Sequence, residues 1–207
     1  MLPEPNRILL IDDEEIQSVL VAGYLAQISQ HRYDVEWAAN SSEALSMLQA
    51  QRIDACLLDY ELGGEDGLRL LREIMKLPNH PPVILLTAKG NLEVDIQAMA
   101  LGATEYLDKN NLKPDLLERT LRYAIQRHRA YTTMQASQER LQTVLETIPA
   151  GVFIYQDKRL RYTNPMLSVM THFTVDELAR MDLFDLVHPD EQTRVQNRLP
   201  EQGNYYL

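Results

Sequence analysis

One cysteine, Cys56, stands among 207 residues. A lone thiol excludes an intramolecular disulfide and any multi-cysteine zinc site, and it fits a reducing compartment, the cytoplasm by default. Long apolar runs are also missing. None reaches the roughly 18 residues of a membrane span, and Met1-Leu2-Pro3-Glu4-Pro5-Asn6-Arg7 lacks the charged and then apolar regions of a signal peptide, so neither export nor a membrane anchor is expected. Basic residues are scarce relative to acids: 20 Lys and Arg face 30 Asp and Glu, a net charge of −10. A sequence-independent grip on nucleic acid or an anionic membrane is therefore not expected as the main activity. The acidity is local: residues 1–113 hold 18 acids and 9 bases, 114–148 hold 4 and 5, and 149–207 hold 8 and 6.

What is present is ordinary for one or two globular domains, with 45% hydrophobic residues. Unbroken apolar runs recur at Ile8-Leu9-Leu10-Ile11, Ala55-Cys56-Leu57-Leu58 and Val83-Ile84-Leu85-Leu86, with mixed versions at Tyr33–Trp37 and Thr104–Leu107. Runs of this length suit strands buried on both faces. Between them, Ile16, Leu20, Tyr24 and Leu25, then Ala44, Leu45 and Leu48, then Leu68, Leu71, Ile74 and Met75 repeat with helical spacing. Five strands alternating with five helices predict an α/β domain built on a five-stranded, parallel, doubly wound sheet, with Cys56 as a small buried hydrophobe.

From Pro114 to Thr147 there is no glycine and no second proline, so one helix of 34 residues, about 50 Å long, is expected. Leu116, Leu117 and Leu121 should pack its start on the sheet. Ala130, Met134, Ser137, Leu141, Val144 and Ile148 then alternate in fours and threes, the spacing of a short paired seam or of an isolated linker helix with one packed side. Beyond Pro149 the pattern becomes a β-hairpin: Val152 to Tyr155, a turn at Asp157-Lys158, then Leu160 to Thr163. Asn164-Pro165, Thr174 with Glu177, and His188-Pro189-Asp190-Glu191 mark further helix starts. Tyr205-Tyr206-Leu207 reads as a strand that begins where the sequence stops.

Chemistry gathers at the strand ends. Asp12-Asp13, Asp59, Thr87 and Lys109 each close or follow an apolar run, and a parallel doubly wound sheet brings all strand C-termini to one edge, where ligands bind. Clustered carboxylates repel unless their pKa values rise or a cation joins them, and an all-oxygen cluster suits Mg²⁺. A lysine and a hydroxyl beside that ion would hold phosphoryl oxygens. Alone, Asp12 or Asp59 would more often be a strand-end turn residue or a cap, and Thr87 an N-cap; the constellation gives them another meaning. Trp37, on a different strand, is not expected to report metal binding.

With Ile11-Asp12-Asp13-Glu14, Leu58-Asp59-Tyr60, Asp66-Gly67-Leu68, Leu86-Thr87-Ala88, Gly102-Ala103 and Tyr106-Leu107-Asp108-Lys109 in order, the stretch 7–125 resembles the receiver domain of bacterial two-component response regulators. The resemblance implies a flavodoxin-like fold in which Asp59 accepts a phosphoryl group. It also implies that Asp12 and Asp13 hold Mg²⁺, Asp13 directly and with the carbonyl of Glu61, that Thr87 and Lys109 contact the phosphoryl group, and that Tyr106 is the switch aromatic. Three departures stand out. Asn110 replaces the proline that usually follows the lysine in a cis peptide, Leu62-Gly63 replaces Met-Pro, and Glu61 puts a carboxylate two residues after the acceptor. A non-proline cis bond costs roughly 2.5–4 kcal/mol, so the loop after Lys109 is expected to take another shape.

Residues 141–207 resemble the first part of a PAS domain through Gly151-Val152-Phe153, Tyr162-Thr163-Asn164-Pro165, Thr174–Leu178 and Val187-His188-Pro189-Asp190. Only the first hairpin and the helices of that fold fit before Leu207, so the chain is expected to be cut or truncated. No PAS ligand is assignable: His188 reads as part of a His-Pro-Asp turn and His172 as a surface or packing residue, and no second cysteine exists to form a flavin adduct. The combined expectation is a receiver (1–125), a helical linker (114–148) continuing its fifth helix, and the N-terminal part of a PAS domain (149–207). It would be a signalling protein and not an enzyme, with a histidine kinase or phosphotransfer protein as partner. A homodimer through the receiver face and linker would relay the signal to an output domain outside the chain. The other readings are a small-molecule sensor with the PAS domain as input, and an aspartyl phosphatase, which needs a second aspartate where Glu61 stands.

Overall fold

A computed structural model describes residues 4–28, 32–88 and 92–197. Those residues fall into two compact units divided between Thr132 and Thr133. In the first, β1 (Asn6–Ile11), β2 (Tyr33–Ala38), β3 (Ala55–Asp59), β6 (Val83–Thr87) and β7 (Glu105–Asp108) form a parallel sheet in the order β2-β1-β3-β6-β7. The helices are α1 (Glu15–Ala26), α2 (Ser41–Ala50), α3 (Gly67–Ile74), α4 (Leu92–Ala100) and α5 (Pro114–Thr147). The unbroken apolar runs follow from this layering. Successive strand residues point to opposite faces. Ile8, Leu10, Leu57 and Ile84 pack with Val21 and Leu25 of α1 and Leu117 and Leu121 of α5. Leu9, Ile11, Cys56 and Leu58 pack with Ala44 of α2, Leu71 of α3 and Ala98 of α4.

Two details depart from the sequence expectation. In α1, Val21 and Leu25 are buried, whereas Ile16 and Leu20 are exposed. The helix begins beyond the end of β1, so its first turns flank the crevice there; Gln17 and Leu20 line that crevice instead of the core. After β3 the chain also makes a small antiparallel hairpin, β4 (Glu61–Leu62) with β5 (Glu65–Asp66). Gly63 (φ 53°) and Gly64 (φ 95°) form its turn, a geometry that L side chains rarely adopt, which accounts for glycine here. Gly67 has a different constraint. A Cβ on it would lie 2.3 Å from the Asp59 carbonyl oxygen, so only glycine lets α3 start this close to the end of β3.

The fifth helix is held at several points within the first unit. Leu117, Leu121, Ala124 and Ile125 are buried. The Tyr33 hydroxyl donates to Glu118 (3.4 Å), which also accepts from Arg122 Nε (3.0 Å). Two turns beyond Arg122, Arg129 Nη2 donates to Asn6 (2.9 Å) and Asp54 (2.7 Å), at the end of the sheet opposite the crevice. Past this point the expected seam faces outward, with Met134, Leu141 and Val144 all more than half exposed.

The second unit contains the expected hairpin, β8 (Phe153–Gln156) against β9 (Arg159–Thr163), turning through Asp157 and Lys158 at positive φ. Phe153, Tyr155 and Leu160 pack on Leu167 of α6 (Pro165–Thr171), Leu178 of α7 (Val175–Leu178) and Leu183 of a following 3₁₀ turn. Asn164, fully buried, uses its whole hydrogen-bonding capacity. Its Nδ2 donates to the carbonyls of Leu145 (2.8 Å) and Ala150 (2.9 Å), while its Oδ1 accepts from the amides of Val152 (2.8 Å) and Leu167 (3.1 Å). Thr174 and Glu177 form the expected capping box. His188 caps α8 (Pro189–Gln196) through Nδ1, and His172 ends α6 in the left-handed conformation. The strand expected at Tyr205–Leu207 lies outside the described residues.

The clamp on α5 has a pH signature. Burial alone would raise the Asp54 pKa, but the Arg129 hydrogen bond, the Arg7 amide and the charges of Arg129 and Arg52 outweigh it and hold the carboxyl below its ordinary value of 3.8. A carboxyl whose pKa is depressed by folding stabilises the fold above its unfolded pKa, and that stabilisation is lost as pH falls through the folded value. Asp54→Asn should therefore unfold at lower urea than wild type at neutral pH, with the gap closing only below about pH 4. A gap that is constant from pH 7 to pH 2.5 would contradict the clamp.

Candidate functional site

The C-terminal ends of β1, β3, β6 and β7 open on a crevice of about 720 Å³ whose lining includes Asp13, Asp59, Glu61, Thr87, Lys109 and Asn110. Each residue is placed by the end of a strand. Asp12 follows β1 and is fully buried, Asp59 closes β3 at 6% exposure, Thr87 closes β6 at 4%, and Lys109 follows β7. Asp13, one residue beyond Asp12, is exposed to the crevice.

Lys109 organises the cluster. Its Nζ lies 2.7 Å from an Asp12 carboxylate oxygen and 2.7 Å from one of Asp59. The other Asp12 oxygen accepts from the Glu14 amide at 3.0 Å, so both Asp12 oxygens have partners within the protein. Burial pushes the Asp59 carboxyl above its ordinary pKa, and the Lys109 hydrogen bond and charge offset only part of this; the Asp12 charge adds to the rise. Burial works against the Lys109 ammonium as well, but its two carboxylates hold it above its ordinary value. Cys56, fully buried inside β3, has its thiol pushed up by burial alone, which makes it an inert core residue.

Carboxylate oxygens of Asp12, Asp13 and Asp59 lie within 4.8 Å of one another. Three hard oxygen donors at a solvent-open edge suit Mg²⁺, which takes few carboxylates and keeps several waters. The residues fit unequally. Asp13 faces the crevice, whereas both Asp12 oxygens are already engaged by Lys109 and the Glu14 amide. Glu61 lies at the mouth, exposed, and its amide bonds Asp59. Gly63 brings the hairpin over Asp13: a Cβ there would be 3.6 Å from the Asp13 carboxylate. Tyr106 is not in the crevice. It is 40% exposed on β7 and lines a separate groove with Leu116, Arg119 and Tyr123 of α5.

Two contacts beside the site escaped the sequence reading. Trp37, on a different strand, is not expected to report metal binding, yet its Nε1 donates to the Asp12 carbonyl at 2.7 Å. The parallel register sets Trp37 beside Leu10, and a long side chain there reaches past the end of β1. Asn110 was legible only as a departure. The loop after β7 is a 3₁₀ turn, Lys109–Asn111, without a cis peptide among the described residues, and the Asn110 side chain crosses to the Ala88 carbonyl.

Comparisons with known proteins agree with this arrangement. The family model described as the response regulator receiver domain matches residues 8–121, and the PAS fold model matches 139–205. A putative response regulator NtrX-like protein of Rickettsia felis is 35% identical over 104 residues, 49% of this chain. The chain spans only about a fifth of that relative's length, 21%. The two-component response regulator PhoP of Pseudomonas aeruginosa is 25% identical over 198 residues, covering 92% of this chain and 83% of PhoP. Among solved structures, a response regulator receiver domain protein from Clostridium thermocellum aligns at a TM-score of 0.54 and 32% identity, over 61% of this chain and 98% of that one. NtrX from Brucella abortus aligns at 0.57 and 25% identity, over 70% and 34%.

Because Trp37 touches Asp12, its emission should follow Mg²⁺ titration directly. Asp13→Ala should weaken Mg²⁺ binding at least about tenfold, roughly 1.4 kcal/mol, with the fold intact by circular dichroism. An unchanged affinity would remove Asp13 from the metal site.

Proposed function

The chain belongs to the response regulator receiver family, and from that premise we propose that it is a phosphorylation-dependent signalling regulator whose acceptor is Asp59. The observation that supports this most is the Lys109 ammonium seated 2.7 Å from both Asp12 and Asp59, with Asp13 and Thr87 on the same strand-end edge. Receiver domains generally use Mg²⁺ with such an acidic cluster, and their partner is a histidine kinase or phosphotransfer protein. Asp12, Asp13, Asp59 and the Glu61 carbonyl would hold Mg²⁺, Asp13 directly, and the ion would neutralise charge on the phosphoryl oxygens. An Asp59 carboxylate oxygen attacks phosphorus, the bond from phosphorus to the donor's leaving group breaks, and an acyl phosphate forms. Lys109 then exchanges a carboxylate partner for a phosphoryl oxygen, and the Thr87 hydroxyl contacts another. The receiver family signals instead of turning over substrates; an enzyme can lie in an output domain beyond this chain.

We assign the receiver to 1–125, the linker to 114–148 and the start of a PAS domain to 149–207. The new charge at Asp59 biases the position of Thr87, and Tyr106, exposed on β7, follows it and alters the face made with α5. In the proposed relay a second copy of the chain covers Met134, Leu141 and Val144. A helix this polar is marginal without a partner. No helix among the described residues is long and apolar enough to cross a membrane.

Acetyl phosphate with Mg²⁺ should add one phosphoryl group to the intact mass of the wild type and none to Asp59→Asn, and equal labelling of both would misplace the acceptor. In the same samples, light scattering should show that phosphorylation shifts a monomer–dimer equilibrium. A monomer in both states at all micromolar concentrations would sink the paired linker.

A further inference from the structure

The loop after β7 is tied to Ala88, the residue that follows β6, through one side chain. Asp108, the last residue of β7, accepts from the Asn110 amide (2.8 Å) through Oδ1 and from Asn111 Nδ2 (2.8 Å) through Oδ2. Both Asp108 oxygens are thereby used to close the 3₁₀ turn Lys109–Asn111. With its backbone fixed in this way, Asn110 directs its Nδ2 at the Ala88 carbonyl, 2.5 Å away. Since the acceptor is a carbonyl oxygen, only the amide nitrogen end of Asn110 can make this bond. Ala88 follows Thr87, and Asn110 follows Lys109; Thr87 and Asp108 are register partners on adjacent strands. The bond thus joins the backbone beside Thr87 to the side chain of the residue beside Lys109, at the rim of the crevice that Asn110 itself lines.

We propose that Asn110 is a positioning residue that latches Ala88, and with it Thr87, in the unphosphorylated arrangement. This rests on the phosphoacceptor reading of Asp59. Thr87 is covalently continuous with Ala88, so drawing its hydroxyl toward a phosphoryl group displaces the Ala88 carbonyl from an Asn110 that Asp108 holds in place. The latch is broken when the site is filled, and its loss opposes filling by the net strength of one hydrogen bond. A proline at this position has no side-chain donor and could not form it.

The test uses the full chain and the beryllofluoride–Mg²⁺ mimic of a phosphoryl group. In wild type, the Asn110 side-chain amide should be slow to exchange hydrogen with Mg²⁺ alone and should lose that protection when beryllofluoride is added. Asn110→Ala should bind beryllofluoride–Mg²⁺ about two- to tenfold more tightly than wild type, while its affinity for Mg²⁺ alone stays the same. A merely structural role would weaken both affinities. Amide protection that survives beryllofluoride in wild type overturns the latch without calling on any variant, as does an Asn110→Ala affinity equal to or weaker than wild type. The two readings fail separately: wild type that binds beryllofluoride with the latch unchanged loses only the latch, whereas wild type that neither binds it nor gains a phosphoryl group at Asp59 loses the phosphoacceptor reading as well.

Discussion

The Lys109 ammonium, 2.7 Å from Asp12 and 2.7 Å from Asp59, is the interaction on which the site depends. Two carboxylates buried to 0% and 6% exposure at neighbouring strand ends would otherwise repel each other at low dielectric. With one cation between them, the cluster carries a charge that the fold tolerates, yet Asp59 still has a raised pKa and Asp13 remains open to the crevice. That leaves room for a second cation and for an incoming phosphoryl group, which is the chemistry proposed for this edge.

Much of the remaining first unit serves to bring those strand ends together. The apolar runs of β1, β3 and β6 are sealed on both faces, so the residues that follow them emerge at fixed heights in the sheet. Glycine lets α3 begin against the Asp59 carbonyl, and the two-glycine turn lays the β4–β5 hairpin over Asp13. At the opposite end of the sheet, Arg129 binds α5 to Asn6 and Asp54. The helix that leaves the unit is thus fixed at its root, as a relay through that helix requires.

The sheet was legible because burial on both faces writes an unbroken apolar run, and the grouping of the candidate residues was legible because parallel strands deliver their C-terminal residues to one edge. The hairpin turn at Asp157-Lys158 and the capping box of Thr174 and Glu177 were legible because both are local. What could not be read depends on distance across the fold. Ile16 and Leu20 share the helical period of Leu25, but the period does not say that α1 begins past the sheet, where these two side chains are exposed. Trp37 reaches Asp12 only through the register of β2 on β1, and Asn110 reaches Ala88 only across two loops. Neither pairing leaves a mark in the spacing of the sequence.

The proposed chemistry depends on what Lys109 does for Asp59. The most direct measurement is the rate of acetyl phosphate labelling of Lys109→Met beside wild type, with Mg²⁺ saturating and Mg²⁺ affinity read from Trp37 emission. Removal of the ammonium should slow labelling at least about tenfold while Mg²⁺ binds as tightly or more tightly, because a cation that competes for the same carboxylates has gone. Labelling at the wild-type rate, or Mg²⁺ binding lost together with labelling, would contradict it.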